Sequence, residues 1–209
     1  GAVGAMTSMI TSEKRKAQDQ GKKWTYNPTE DQMKETVTAW RLANPKIKQY
    51  WNDANNAAIN AVATGELTTC GKVAYYTKKG ILFCKLPSGR ELAYMRPALV
   101  PNKFGGVQIE YEGMNQTTKK WEKMRADGGL LVENMTQAIA RDLLADKIKH
   151  FAKGVSARMV MHVHDEIVLE TSPGNIPAVD KVMSKPVSWA PGLPLKGESF
   201  ETLYYKKED

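Results

Sequence analysis

The stretch Arg158-Met159-Val160-Met161-His162-Val163-His164-Asp165-Glu166-Ile167-Val168-Leu169-Glu170 decides how the chain is read. Met159, Val160, Met161 and Val163 precede the charged centre, and Ile167, Val168 and Leu169 follow it. Both runs have the length and β-branched content of short strands, with His164-Asp165-Glu166 as the turn between them. Apolar residues on both faces of both strands predict a hairpin buried between layers. Carboxylates at the tip of a buried hairpin cost free energy unless something pairs with them. A divalent cation would do so, and carboxylate oxygens are the ligands magnesium prefers. Taken alone, the tripeptide is better read as a solvent-exposed turn, where Asp is common. His162 alternates onto the face opposite Met161 and Val163 and reads as a packed core histidine.

Before this hairpin, a long helix is expected from about Leu130 to Ala152, burying Leu131, Met135, Ala138, Ile139, Leu143, Ile148 and Phe151. Gln137 and Arg141 are four apart on it and so share a face. Further upstream, Val73–Tyr76, Ile81–Cys84 and Glu91–Tyr94 are short β-type runs. Turns at Lys78-Lys79-Gly80 and Pro87-Ser88-Gly89-Arg90 separate them, which predicts an antiparallel meander. Pro97, Pro101 and Gly105-Gly106 are expected to break the chain before another hairpin over residues 107–111 and 119–124. Thr29 suits the cap of a helix from Glu30 to about Leu42, and Asn44-Pro45 starts another that stops at Gly65. A short helix is expected in the first 28 residues. The tail from Pro173 holds five of the ten prolines and reads as a short helix, irregular wrapping and a terminal strand.

Composition narrows the function classes. With 209 residues, 42% hydrophobic and 25% charged, the chain suits ordinary globular structure. No apolar run reaches the length of a membrane span, and no signal pattern opens the chain, so a cytoplasmic location is expected. If the gene is a phage's, that means the cytoplasm of the bacterial host. Cys70 and Cys84 lack metal-ligand spacing and read as buried reduced thiols, which leaves a structural zinc site without ligands. The net charge of +7 and a pI near 9.3 fit a polyanionic partner such as nucleic acid. The basic runs, such as Lys14-Arg15-Lys16, Lys22-Lys23 and Lys206-Lys207, are singly better read as solvated faces.

The motifs in order carry a resemblance. His-Asp-Glu between two apolar strands resembles the third conserved motif of family A (polymerase I-like) DNA polymerases. The run Glu133-Asn134-Met135-Thr136-Gln137-Ala138-Ile139-Ala140-Arg141-Asp142-Leu143-Leu144 resembles the helix before that motif. Leu86-Pro87-Ser88-Gly89-Arg90-Glu91-Leu92-Ala93-Tyr94 looks like the family's Gly-Arg hairpin, and Asn44-Pro45 with its helix like the segment after the fingers. Trp189-Ala190-Pro191-Gly192-Leu193-Pro194 resembles the tail of phage-type members. Gly1-Ala2-Val3-Gly4-Ala5-Met6 resembles the end of their nucleotide-binding helix, the alternative being a cloning remnant.

That resemblance implies an α+β fold with an antiparallel palm-type sheet and long helices. Residues 1–66 would be fingers helices, and residues 67–209 the C-terminal half of the palm. It implies DNA-directed DNA synthesis in replication through two Mg2+ ions. Asp165 matches the metal-ligating aspartate and Glu166 its neighbouring, secondary catalytic acid. His164 matches the residue beside the primer terminus, and Gln137 the glutamine that tests minor-groove geometry, where every base pair offers an acceptor. Asn134 and Arg141 are further DNA-binding candidates, and for Arg141 a structural salt bridge is the stronger reading. The partners implied are primer-template DNA, deoxynucleoside triphosphates and a complementary N-terminal polymerase chain. That chain is needed because neither the Asp-Tyr-Ser-x-Ile-Glu motif nor the nucleotide-binding helix occurs in the sequence. The isolated chain is therefore expected to be inactive: a split-enzyme subunit, a processed piece or a truncated relic. The rivals are a non-catalytic DNA-binding remnant and a nuclease using His162, His164 and Asp165.

Overall fold

Helix α1 spans Ala2–Asp19 in the computed structural model, which describes residues 2–153 and 157–206. Gly1 of the opening glycine-containing run and Lys207 of the C-terminal lysine pair lie outside the described residues. The helix is longer than the short one expected, because no breaker follows Gly4 until Gly21. There the backbone turns left-handed (φ 66°), and Lys22 N–H donates to the Ala17 carbonyl at 2.8 Å. Helix α2 (Glu30–Ala43) opens with the expected cap as a full capping box: Thr29 and Gln32 satisfy each other's backbone N–H groups. Helix α3 follows at once over Pro45–Thr64 and closes on Gly65 (φ 76°), whose N–H donates to the Ala61 carbonyl.

The chain divides into two compact units, residues up to Asn52 and residues from Asp53 onward. In the first, Trp40 on α2 stacks on Trp51 of α3 at 5.9 Å, and Met33 is buried. The second contains the rest of α3, the strands and two more helices.

Six strands form one antiparallel sheet in chain order: β1 (Thr68–Cys70), β2 (Val73–Lys78), β3 (Ile81–Lys85), β4 (Glu91–Pro101), β5 (Val107–Met114) and β6 (Trp121–Ala126). The expected meander and second hairpin are thus one continuous sheet. Strand β4 does not break at Pro97 as expected. Arg96 turns left-handed (φ 48°) and the register shifts between Met95 and Ala98, a bulge that accommodates a residue with no N–H to give the ladder. The β2–β3 turn needs positive φ at both central residues, and Lys79 (52°) and Gly80 (73°) supply it.

Alternation separates the two faces of the sheet. Tyr75, Leu82, Cys84, Tyr94, Ile109, Tyr111 and Ala126 are buried on one, where Tyr94 and Tyr111 meet edge to face at 5.0 Å. Helix α4 (Gly128–Ala152), capped by the Asp127 carboxylate on Leu130 N–H, lies on this side: Asn134 Nδ2 donates to the Tyr94 hydroxyl at 3.2 Å. The β3–β4 turn also grips α4. Arg90 donates to Asp142 at 2.6 Å and to the Ala138 carbonyl at 2.7 Å, and Ser88 Oγ donates to Asp142 at 2.5 Å. Ile139, Leu143 and Ile148 are only half-buried, whereas Leu144 and Lys147 are buried. The Lys147 ammonium is satisfied by the Lys185 carbonyl, a contact between distant segments that periodicity could not anticipate.

Strands β7 (Ala157–Val163) and β8 (Glu166–Thr171) make a separate two-stranded sheet packed against α4, followed by helix α5 (Ile176–Met183). The expected terminal strand is not formed among the described residues of the tail.

Two outcomes follow from the buried layer. The Tyr75 hydroxyl is buried against the Cys84 sulfur without a partner of hydrogen-bond geometry, and an unsatisfied buried hydroxyl costs ~1–3 kcal/mol. Tyr75→Phe should therefore leave the melting temperature unchanged or raise it by a few degrees. Burial pushes the Cys84 thiol up from 9.0 to about 11 and the Tyr94 phenol from 10.0 to about 12. Because both pKa values are raised on folding, their stabilisation is complete below pH 9 and is lost as pH rises through 11 and 12. Thermal melts between about pH 8 and about pH 11, a range over which the unfolded thiol ionises before the folded one, should show stability falling above pH 9, and native thiols should alkylate far more slowly than unfolded ones.

Candidate functional site at the β7–β8 turn

Val163 pairs with Glu166, so His164 and Asp165 are the two central residues of a tight hairpin turn. His164 takes φ 51°, a conformation in which histidine is over-represented among residues bearing a Cβ. Lys79, Arg96 and Lys119 do the same, so left-handed backbone alone does not mark the turn as functional.

His164, Asp165 and Glu166 are exposed, and no residue of either strand is fully buried. The expectation of a hairpin buried between layers is therefore corrected. A two-stranded sheet with a helix on one side has only one covered face. Met159, Met161 and Val163 are half-buried, while Arg158, Val160 and His162 point outward, and Val160 is 57% exposed. The carboxylates stand in water, and desolvation does not require a cation beside them. His162 is correspondingly not a core residue. Its Nε2 lies 3.4 Å from Arg141 Nη2, a contact in which the guanidinium can only donate. Among the described residues Arg141 is in no salt bridge, contrary to its expected structural role.

The candidates on α4 fall into two groups. Gln137 is exposed, with its amide on Glu133 at 3.2 Å, and Arg141 is exposed on the same face. Asn134 is half-buried and tied to Tyr94, a tether between helix and sheet. Asp165 and Glu166 offer the oxygen donors that magnesium takes. Among the described residues, however, no three His, Cys, Asp or Glu side chains converge to hold a metal ion, so the turn supplies at most part of a coordination shell.

One neighbour of the turn had no signal in the sequence. The tail runs back along α5 in ordered steps: Gly197 N–H to Ser184 Oγ at 3.4 Å, Ser199 Oγ to Asp180 at 2.5 Å, and Glu201 accepting from Gly174 N–H at 3.3 Å. It ends with the Tyr205 hydroxyl donating to Glu166 Oε2 at 3.3 Å. These pairs are far apart in the chain, and no local pattern announces them.

The structure is thus an α+β protein with an antiparallel sheet, and the class of protein that its sequence resembles is a DNA polymerase. The chain is 42% identical over 183 residues, 86% of its length, to the DNA polymerase of Bacillus phage SP02. It spans 28% of that protein, so the resemblance to a phage polymerase holds across most of this chain and corresponds to part of such an enzyme. No family model matches the sequence, and no solved structure matches. Among the described residues no helix is long and apolar enough to cross a membrane.

Because the turn is exposed and the acids form no buried network, Asp165→Asn and Glu166→Gln should each change stability by less than ~0.5 kcal/mol. Superimposable thermal melts are expected, and a loss of several degrees would show a structural role for these carboxylates.

Proposed function

We propose that the chain is the C-terminal palm portion, with adjoining fingers helices, of a family A DNA polymerase. In this reading residues 1–66 belong to the fingers and residues 67–209 to the palm. The observation that carries the proposal is the 42% identity to a phage DNA polymerase over 86% of the chain. The order of motifs around His164-Asp165-Glu166 supports the same reading.

Asp165 then anchors catalytic magnesium through a carboxylate already exposed at a tight turn, so no core rearrangement is needed to reach it. Glu166 is the secondary acid, oriented by Tyr205. His164 lies beside the primer terminus. Gln137 gives up its Glu133 contact to donate to minor-groove acceptors of the primer-template duplex, while Arg141 supports the same DNA face and Asn134 holds α4 at the correct height on the sheet. Held in part by Asp165, bound metal ions would supply charge stabilisation for the attacking 3′ oxygen and the leaving pyrophosphate of the deoxynucleoside triphosphate. The second aspartate and the nucleotide-binding helix come from polypeptide outside the 209 residues, supplied as a complementary N-terminal chain. The alternative is a non-catalytic DNA-binding remnant.

Single-turnover primer extension separates the two. The isolated chain should incorporate no nucleotide, and the chain joined with the N-terminal region should extend. In the joined enzyme Asp165→Asn should lose about 4 kcal/mol of transition-state stabilisation, roughly a thousandfold in rate, with folding and DNA binding retained. Glu166→Gln should cost visibly less. Near-normal extension by Asp165→Asn would overturn the metal assignment, and no extension by the joined wild type would favour the remnant.

A further inference from the structure

The face of the six-stranded sheet opposite α4 carries a pattern that the polymerase reading does not use. Register places Tyr76 beside Phe83 and Phe83 beside Ala93, and at the far side places Met114 beside Trp121. Tyr76 and Phe83 stack at 5.4 Å, while Met114 and Trp121 are 47% and 57% exposed. The adjacent row runs in register across five strands as Lys78, Ile81, Met95, Glu112 and Lys123. An aromatic and apolar row therefore lies alongside a row ending in lysine at both edges.

The charge on this face is asymmetric. Its carboxylates are Glu91, Glu110 and Glu112, and all three are occupied. The Tyr76 hydroxyl donates to Glu91 at 2.6 Å, Lys123 and Arg125 flank Glu110, and Arg96 and Trp121 bond Glu112. The cations beside Glu110 hold its carboxyl below the usual range, with the Lys123 hydrogen bond the largest cause. Lys78 and Lys79 are exposed, are in no ion pair among the described residues, and line a shallow cleft of about 190 Å3 with Tyr76, Ile81, Phe83 and Glu91.

We propose that this sheet face is a binding surface for single-stranded nucleic acid, separate from the β7–β8 turn. Unpaired bases stack on Trp121 and on the Tyr76–Phe83 pair, and phosphates follow Lys78, Lys79, Arg96, Lys123 and Arg125. Aromatic stacking within a positive track suits single strands of any sequence, because every base has a π-face and a duplex keeps its faces hidden. Arg96, Lys123 and Arg125 are the cations that pair Glu112 and Glu110, so the five cations against three carboxylates leave an excess of two, Lys78 and Lys79, and the aromatic row beside them fits the bases of a nucleic-acid strand rather than an acidic protein face. The sheet itself separates this surface from α4 and the hairpin that packs on α4.

The test is an anisotropy titration of the 209-residue chain with labelled oligo-dT of about 20 nucleotides at about 50 mM salt. Wild type should bind the single strand, and loss of the sheet-face aromatic should weaken single-strand binding more than binding of a duplex of equal length. Trp121→Ala should weaken binding roughly tenfold, with Trp121→Phe restoring most of it. Joint Lys78→Glu and Lys79→Glu should weaken it at least as much, whereas Lys22→Glu with Lys23→Glu, the same charge change in the α1–α2 loop, should cost no more than about threefold. Equal loss from the two charge reversals, no loss from Trp121→Ala, or a Trp121→Ala loss as large on duplex as on oligo-dT would overturn the proposal, as would absence of oligo-dT binding. Oligo-dT binding is measured on the 209-residue chain and extension on the joined enzyme, so failure of extension and failure of this surface are read separately.

Discussion

The position of α4 depends on one carboxylate. Asp142, with its side chain 11% exposed, accepts from both Arg90 and Ser88 of the β3–β4 turn, while the same arginine reaches the Ala138 carbonyl one turn earlier on the helix. A guanidinium held by a carboxylate and a carbonyl fixes orientation as well as distance, since its fork is planar and its donors are rigidly placed. Asn134 on Tyr94 supplies a second point of attachment, and two points set the rotation of a helix on a sheet. Everything that α4 presents on its other sides, including Gln137, Arg141 and the hairpin packed on it, inherits its position from these bonds. The Gly-Arg turn is therefore more than a connection between two strands.

The hairpin shows a different logic. A two-stranded sheet resting on one helix buries one face only, so its turn and its outward residues remain in solvent. Charged residues at such a turn need no internal compensation, which makes the turn available to partners outside the chain. The tail reaches the same place by successive side-chain contacts along α5, and Gly197 lies so close to Met183 that an added Cβ would approach its Cβ to 2.5 Å. Close approach at Gly197 and the Ser199–Asp180 bond set the path of the tail, and Tyr205 arrives at Glu166 as a result.

The two sheets divide the chemistry of the second unit. The large sheet buries a layer of tyrosines and cysteines on the α4 side and presents paired charges and aromatics on the other. The small one exposes acids at its tip. A strongly basic chain accommodates both because its carboxylates are locally covered or fully solvated, not buried alone.

Much of this was legible in the residues. Thr29, Asn44-Pro45 and Gly65 set helix ends through bonds within a few residues, and the short β-type runs separated by turn residues announced β2, β3 and the start of β4. The His-Asp-Glu turn and the likeness to a phage polymerase were also readable, because they rest on residue types in order. Tertiary structure decided what local pattern cannot carry. Pro97 sits inside a strand because Arg96 absorbs the irregularity in a bulge. Lys147 is buried because a carbonyl from residue 185 meets it. The β7–β8 hairpin is half-exposed, although apolar residues occupy both faces of its strands, because α4 packs against one side of it. Apolar content states how much surface a strand can bury; the number of neighbouring layers, set by contacts between distant segments, states how much it does.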